Sequence, residues 1–137
     1  MYQTISITKL HHEYHLWIAE LNFCKEELKI FEHHLEDIIA KHTITEITSQ
    51  VEHFQNQFIR HKEVIDELKH DLNIAEKQLA AFAKDLSDAG IMNIKMDNHT
   101  RLRDEVFTQR KIFNELKKEF RSFELYSGIC IAHPQLS

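Results

Sequence analysis

A continuous heptad pattern of apolar residues in the first third of the chain most constrains its fold. Positions a and d of this repeat hold Ile7, Leu10, Tyr14, Trp17, Leu21, Cys24, Leu28, Phe31, Leu35 and Ile38. A 3.5-residue period places these side chains on one face of a helix that packs along other helices. The pattern predicts a first helix over about residues 5–41, roughly 50 Å long at 1.5 Å per residue.

The same repeat occurs twice more along the chain. It predicts a second helix over about residues 44–88, begun by a capping box at Thr43 to Glu46 and ended by Gly90. A third helix is predicted over about 98–127, with Asp97 or Asn98 as its cap and Ser127-Gly128 as its end, followed by a tail at 128–137. With only 2 Gly and 1 Pro in 137 residues, few residues interrupt these helices.

Short connections between long helices make neighbouring helices antiparallel. The predicted fold is therefore all-α: a single domain over residues 1–137 in which a coiled-coil hairpin and a third helix form an antiparallel three-helix bundle. Counting residues outward from the second connection pairs Leu116 with Leu72 and Phe120 with Leu68. In this register the third helix stops before the tip of the hairpin.

Apolar residues at that tip, the hairpin end, would then lack a third helix. An uncovered set of six large apolar side chains is more than a soluble monomer normally exposes. We therefore expect oligomerisation to complete the bundle, with a homodimer as the first candidate assembly. The competing prediction is that the C-terminal tail covers the hairpin end. The predicted interface residues are Phe31, Leu35, Ile38, Ile47, Val51 and Phe54.

A second apolar row, at heptad position c of the first helix, consists of Leu16, Phe23 and Ile30. One partner helix would not cover both this row and the a/d face. Glutamates at position g flank the row, whereas a membrane-surface helix carries Lys or Arg there. The row therefore predicts an interface with a helical protein, flanked by Glu13, Glu20 and Glu27.

The eleven histidines raise the alternative of a metal-binding helical bundle that handles Zn, Fe or Cu. A di-iron type of cage needs carboxylates pointing into the bundle, and no Asp or Glu occupies an a or d position. We therefore expect no resident metal and no cofactor in the core. The remaining candidate metal ligands are surface histidines that lie at similar levels along the predicted hairpin: His11, His15 and His70.

Three polar or reactive residues fall on the core register: Cys24, His61 and Gln109. We expect Cys24 to lie opposite His61, with Tyr126 or Ser127 nearby, and His61 and Gln109 to set helix register as buried polar residues do in coiled coils. A Cys–His nucleophile pair also needs a cleft and an oxyanion-stabilising element, and neither is indicated. Glycine-rich phosphate loops and G-x-S-x-G are also missing. The chain is therefore predicted not to be an enzyme.

A net charge of −5 gives no electrostatic attraction to nucleic acid, which is bound through Lys and Arg. No apolar run is long enough to span a membrane, and no secretory signal is present at the N-terminus, so we expect a cytoplasmic protein. The predicted function is self-association, or scaffolding or adapting for another helical protein.

Overall fold

Three long helices make up the part of the chain that the structure describes. This computed structural model describes residues 7–41, 45–85 and 96–132, with side chains at 7–41, 47–81 and 98–127. The helices are α1 (Ile7–Lys41), α2 (Thr45–Asp85) and α3 (Met96–Ala132). Because α1 packs against α2 and α3 packs on both, the predicted all-α three-helix bundle is confirmed.

Each helix contributes a segment to each of two compact units. Unit 1 comprises Met1–Phe23 and Ile65–Gln109, and unit 2 comprises Cys24–Val64 and Arg110–Ser137. In both units the core consists of a and d side chains. These positions are buried from Leu10 to Ile38, from Ile47 to Leu79 and from His99 to Ser127. The heptad pattern therefore identifies the core residues correctly along the described helices.

Contacts within unit 2 give the helix directions there. Phe58 contacts Phe120, and Phe54 contacts Phe123, so the numbers fall on α2 as they rise on α3 and the two helices are antiparallel. An ion pair joins Glu27 to Lys117 and a hydrogen bond joins His34 to Glu124, so the numbers rise together on α1 and α3, which are parallel. This is the up-down-up arrangement expected for short connections.

The hairpin end is covered by α3 within the same chain. Its six residues are all buried, with Phe31 at 6% exposure and Phe54 at 5%. The aromatic rings of Phe113, Phe120 and Phe123 pack against them. The prediction of an uncovered apolar patch at this end is therefore wrong, and the residues assigned to an interface belong to the core of unit 2: Phe31, Leu35, Ile38, Ile47, Val51 and Phe54.

The error lies in the register of the third helix. Phe120 packs on Phe58 and not on Leu68, a displacement of ten residues or about 15 Å along α2. Counting outward from a connection assumes a symmetric turn, but the alignment of long helices depends on which side chains fill the space between them. Here that space is filled by six phenylalanines, and their clustering selects the register: Phe31, Phe54, Phe58, Phe113, Phe120 and Phe123.

Two predicted ends of α3 are also wrong. The helix begins at Met96, before the proposed caps, and Asn98 accepts a hydrogen bond from Arg101 inside the first turns. It continues through Gly128 to Ala132, because one glycine costs a helix only about 1 kcal/mol. The capping box at Thr43 to Glu46, the stop at Gly90 and the tail at 133–137 lie outside the residues whose details are described.

Candidate metal cluster and exposed apolar row

The strongest cluster of metal-ligating groups lies between α1 and α2 in unit 1. His11 and His15 are four residues apart on α1, so their side chains emerge from the same side of the helix. Glu76 comes from the facing position on α2. Its Oε1 lies 3.1 Å from Nδ1 of His11 and 2.5 Å from Nε2 of His15.

The ligand atoms of these three residues lie within 4.8 Å of one another. Two imidazole nitrogens and one carboxylate oxygen form a donor set that suits zinc and similar transition metals. The two imidazole rings meet edge to face, with centroids 4.4 Å apart. Among the described residues, this is the only group of three or more His, Cys, Asp or Glu side chains that meets such a spacing.

The sequence predicted three candidate metal ligands, and the structure brings two of them together, His11 and His15. His70 is exposed on α2 and is not part of the cluster, while Glu76 takes its place. The sequence-based prediction omits Glu76 because it considers carboxylates only at heptad positions a and d. The heptad pattern does contain the relevant signal, since His11 and Glu76 both occupy position e, and e positions flank the core of an antiparallel pair.

The second apolar row of α1 remains exposed, as predicted from its position c. In unit 1, Leu16 is 54% exposed and Phe23 is 65% exposed. In unit 2, Ile30 is 52% exposed. The a and d neighbours of these residues are buried.

Two of the glutamates beside this row serve contacts with α3. In unit 2, Glu27 forms a half-buried ion pair with Lys117 at 2.9 Å. In unit 1, Oε2 of Glu13 lies 3.2 Å from Nε2 of His99. The acidic flank of the row therefore has an intramolecular role in addition to the partner contact predicted from the sequence.

His99 is a buried polar residue that the sequence analysis missed. It is 3% exposed and its ring stacks on that of Trp17. Its Nδ1 lies 3.3 Å from the Tyr14 hydroxyl oxygen. The Nδ1 contact with the Tyr14 hydroxyl is a hydrogen bond, whereas Oε2 of Glu13 is buried beside Nε2 without a hydrogen-bond partner among the described residues. Its position three residues before Leu102 places His99 on the core register, and this spacing could have predicted its burial.

Burial controls the ionisation of this group. Desolvation lowers the pKa of His99, and Arg103 acts in the same direction, while the Glu13 carboxylate opposes them. Burial also raises the pKa of Tyr14, with Glu13 adding to the effect. Burial therefore favours the neutral imidazole at His99.

The three polar or reactive core residues predicted from the sequence are all buried: Cys24, His61 and Gln109 are 7%, 5% and 4% exposed. The His61 ring lies 6.2 Å from that of Phe113. Tyr126 is 13 residues further along α3, or about 20 Å, so the expected His61–Tyr126 neighbourhood is wrong. Desolvation lowers the pKa of His61, with Arg60 adding to the effect.

The fold and these surface features define the class: an all-α three-helix bundle with a two-histidine, one-glutamate cluster and an exposed apolar row. No protein-family profile, curated protein or solved structure matches the chain. None of the helices, over the residues described, carries an apolar stretch long enough to cross a membrane.

Proposed function

We propose that this protein acts by association and not by catalysis, as a scaffold or adaptor that binds a helix of another protein. The binding surface is the unit 1 part of the exposed row. The observation that supports it is the exposure of Leu16 and Phe23, seven residues apart on one side of α1, at 54% and 65%. A helix laid along α1 would bury both side chains, as helix-in-groove partners do.

The charge beside the row selects the partner. Glu13 lies on the flank of the row and contacts His99, whose pKa is lowered by burial. Glu20 lies one heptad further along the same flank. Over its whole length α1 carries four lysines against seven carboxylates, a net charge of −3. The partner that complements this surface is an amphipathic helix with Lys or Arg beside its apolar residues.

Self-association was the first prediction, and it loses its original basis because the hairpin end is buried within one chain. A second copy of α1 on the exposed row would also bring a second acidic flank against the first. Like charges across an interface disfavour the pairing. We therefore favour a basic helix over a second copy, and the experiment below separates the two.

The test uses two synthetic amphipathic peptides of about 18 residues, which span roughly 27 Å as helices. They share one apolar face and carry either Arg or Glu on its flanks. We expect the full chain to bind the Arg peptide in a fluorescence anisotropy titration, and not the Glu peptide. The double substitution Leu16→Ser with Phe23→Ser removes the apolar contacts and is expected to weaken binding about tenfold or more.

Ile59→Ser is the matched control, because Ile59 is also 54% exposed but lies on α2 in unit 2. Equal loss of binding in this control, or equal binding of both peptides, would contradict the proposal. Light scattering over a concentration series tests whether a second copy of the chain covers the row. A wild-type dimer that becomes monomeric on the Leu16 and Phe23 substitutions would show that a second copy covers the row.

The second candidate function is metal handling by a histidine-rich bundle. It is favoured by one specific observation, the convergence of ring nitrogens from His11 and His15 on Oε1 of Glu76.

A further inference from the structure

We propose that His11, His15 and Glu76 form a binding site for one divalent transition metal ion, with Zn²⁺ as the reference ion. The site does not depend on the partner surface proposed above. The ligand atoms are Nδ1 of His11, Nε2 of His15 and a carboxylate oxygen of Glu76. Their types match catalytic and exchangeable zinc sites, which use two histidines and a glutamate and leave a position open to water.

The distances between the ligand atoms are close to those that an ion requires. Tetrahedral coordination at about 2.1 Å places ligand atoms roughly 3.4 Å apart. The two nitrogen–oxygen distances are 3.1 and 2.5 Å, and all the ligand atoms lie within 4.8 Å of one another. Movements of about 1 Å, within the reach of side-chain rotation, bring the three atoms around one ion.

The side chains are free to make this adjustment. His11 and His15 are 53% and 58% exposed at the side chain, so neither ring is held by surrounding core residues. Glu76 is 17% exposed and is placed on α2 against both rings. The half-buried carboxylate supplies the negative charge that offsets the ion, and the exposed rings supply the path by which it enters.

In the structure, Oε1 of Glu76 lies against one ring nitrogen of each histidine. Binding requires each of these nitrogens to present its lone pair to the ion, so the ring proton of each imidazole must be on the other nitrogen.

The position of the site gives the ion a structural consequence. Two ligands come from α1 and one from α2, all within unit 1. A bound ion joins the two helices. The unfolded chain has no preformed site for the ion. Metal binding is therefore expected to raise the melting temperature in proportion to the logarithm of the free metal concentration.

The ligand types also predict the order of preference among ions. Imidazole nitrogens suit Zn²⁺, Ni²⁺ and Cu²⁺, whereas Mg²⁺ and Ca²⁺ prefer sites made of oxygen atoms alone. We expect Cu²⁺ to bind more tightly than Zn²⁺, following the general order of affinities of divalent metals. Mg²⁺ at millimolar concentration is expected to leave Zn²⁺ binding unchanged.

The experiment is a calorimetric titration of tag-free, chelator-treated full chain with Zn²⁺. The expected result is one ion per chain in the strongest class of sites. His15→Ala and Glu76→Gln each remove one ligand and are expected to weaken binding about tenfold or more. Glu76→Gln preserves the size of the side chain, so it keeps the test valid if an alanine variant folds poorly. Circular dichroism confirms the helical content of every variant.

His12→Ala and His70→Ala are the matched controls, because both residues are exposed histidines outside the cluster. They are expected to leave the strongest site intact. If either control weakens binding as much as His15→Ala, or if Glu76→Gln has no effect, the ions bind to scattered surface histidines and the proposal is wrong. A Zn²⁺-dependent rise in melting temperature that disappears in Glu76→Gln would support the site independently.

Discussion

The ring of Phe120 lies 5.1 Å from the ring of Phe58 and meets it edge to face. Phe120 also contacts Phe31 and Phe54, so one side chain of α3 joins both arms of the hairpin in unit 2. Edge-to-face aromatic pairs add about 1 kcal/mol beyond the burial of their area. This cluster accounts for the coverage of the hairpin end by α3.

Phe120→Ala is expected to lower the free energy of unfolding by about 3–5 kcal/mol, the usual cost of deleting a buried phenylalanine ring. The residue is fully buried and contacts four other rings. The measurement is urea unfolding followed by circular dichroism. Phe107→Ala is the control, because Phe107 is 47% exposed on the same helix. Similar losses in the two variants would contradict the register described for α3.

Phe31→Glu distinguishes a core residue from an interface residue. The side chain is 6% exposed and packs on Phe58, Phe113 and Phe120. A buried carboxylate without a partner costs several kcal/mol, so we expect loss of helical structure at concentrations where the wild type is folded. Circular dichroism and light scattering check this. A variant that keeps its helicity and only changes its oligomeric state would assign Phe31 to an interface.

Acidification is expected to destabilise the protein through His61 and His99. Burial lowers the pKa of both residues in the folded state, whereas an unfolded histidine titrates near pH 6.5. Below about pH 6.5 the unfolded chain therefore binds more protons than the folded chain, and stability falls as the pH falls. Above that range both states are neutral and this contribution is constant.

His61→Leu places an apolar residue at the same core position and is expected to flatten part of this pH dependence. The measurement is the urea midpoint of wild type and variant from neutral to mildly acidic pH. His12→Gln, at an exposed position of α1, serves as the control. An unchanged pH slope in His61→Leu would show that His61 does not carry the effect.

The Glu27–Lys117 ion pair is expected to stabilise unit 2 more than an exposed pair does. Its side chains are 17% and 22% exposed, and the Lys117 ammonium also lies 5.6 Å from the Phe113 ring centre. A double-mutant cycle with Glu27→Gln and Lys117→Met is expected to give about 1 kcal/mol of coupling. The exposed Arg101–Glu105 pair provides the comparison, with an expected coupling of about 0.3–0.5 kcal/mol. Equal coupling in the two pairs would contradict this difference.

The metal cluster shows how much of a site can be read from spacing. The four-residue separation of His11 and His15 predicts that they share one side of α1, and the structure agrees. The third ligand depends on the register between α1 and α2, which decides that Glu76, and not His70, meets the two rings. Similarly, the position of Leu16 and Phe23 predicts their exposure, but only the structure assigns Glu13 to His99.

The sequence by itself determined the three helices and their buried faces, because a heptad repeat places the same residues inward wherever the helices lie along one another. His61 and Gln109 follow from that repeat. The tertiary structure alone decided the register of α3, because sliding one helix along two others by whole core layers of about 3.5 residues keeps the a and d side chains inward. The packing of Phe120 against Phe58 distinguishes between those alternatives, and it makes the hairpin end core instead of interface.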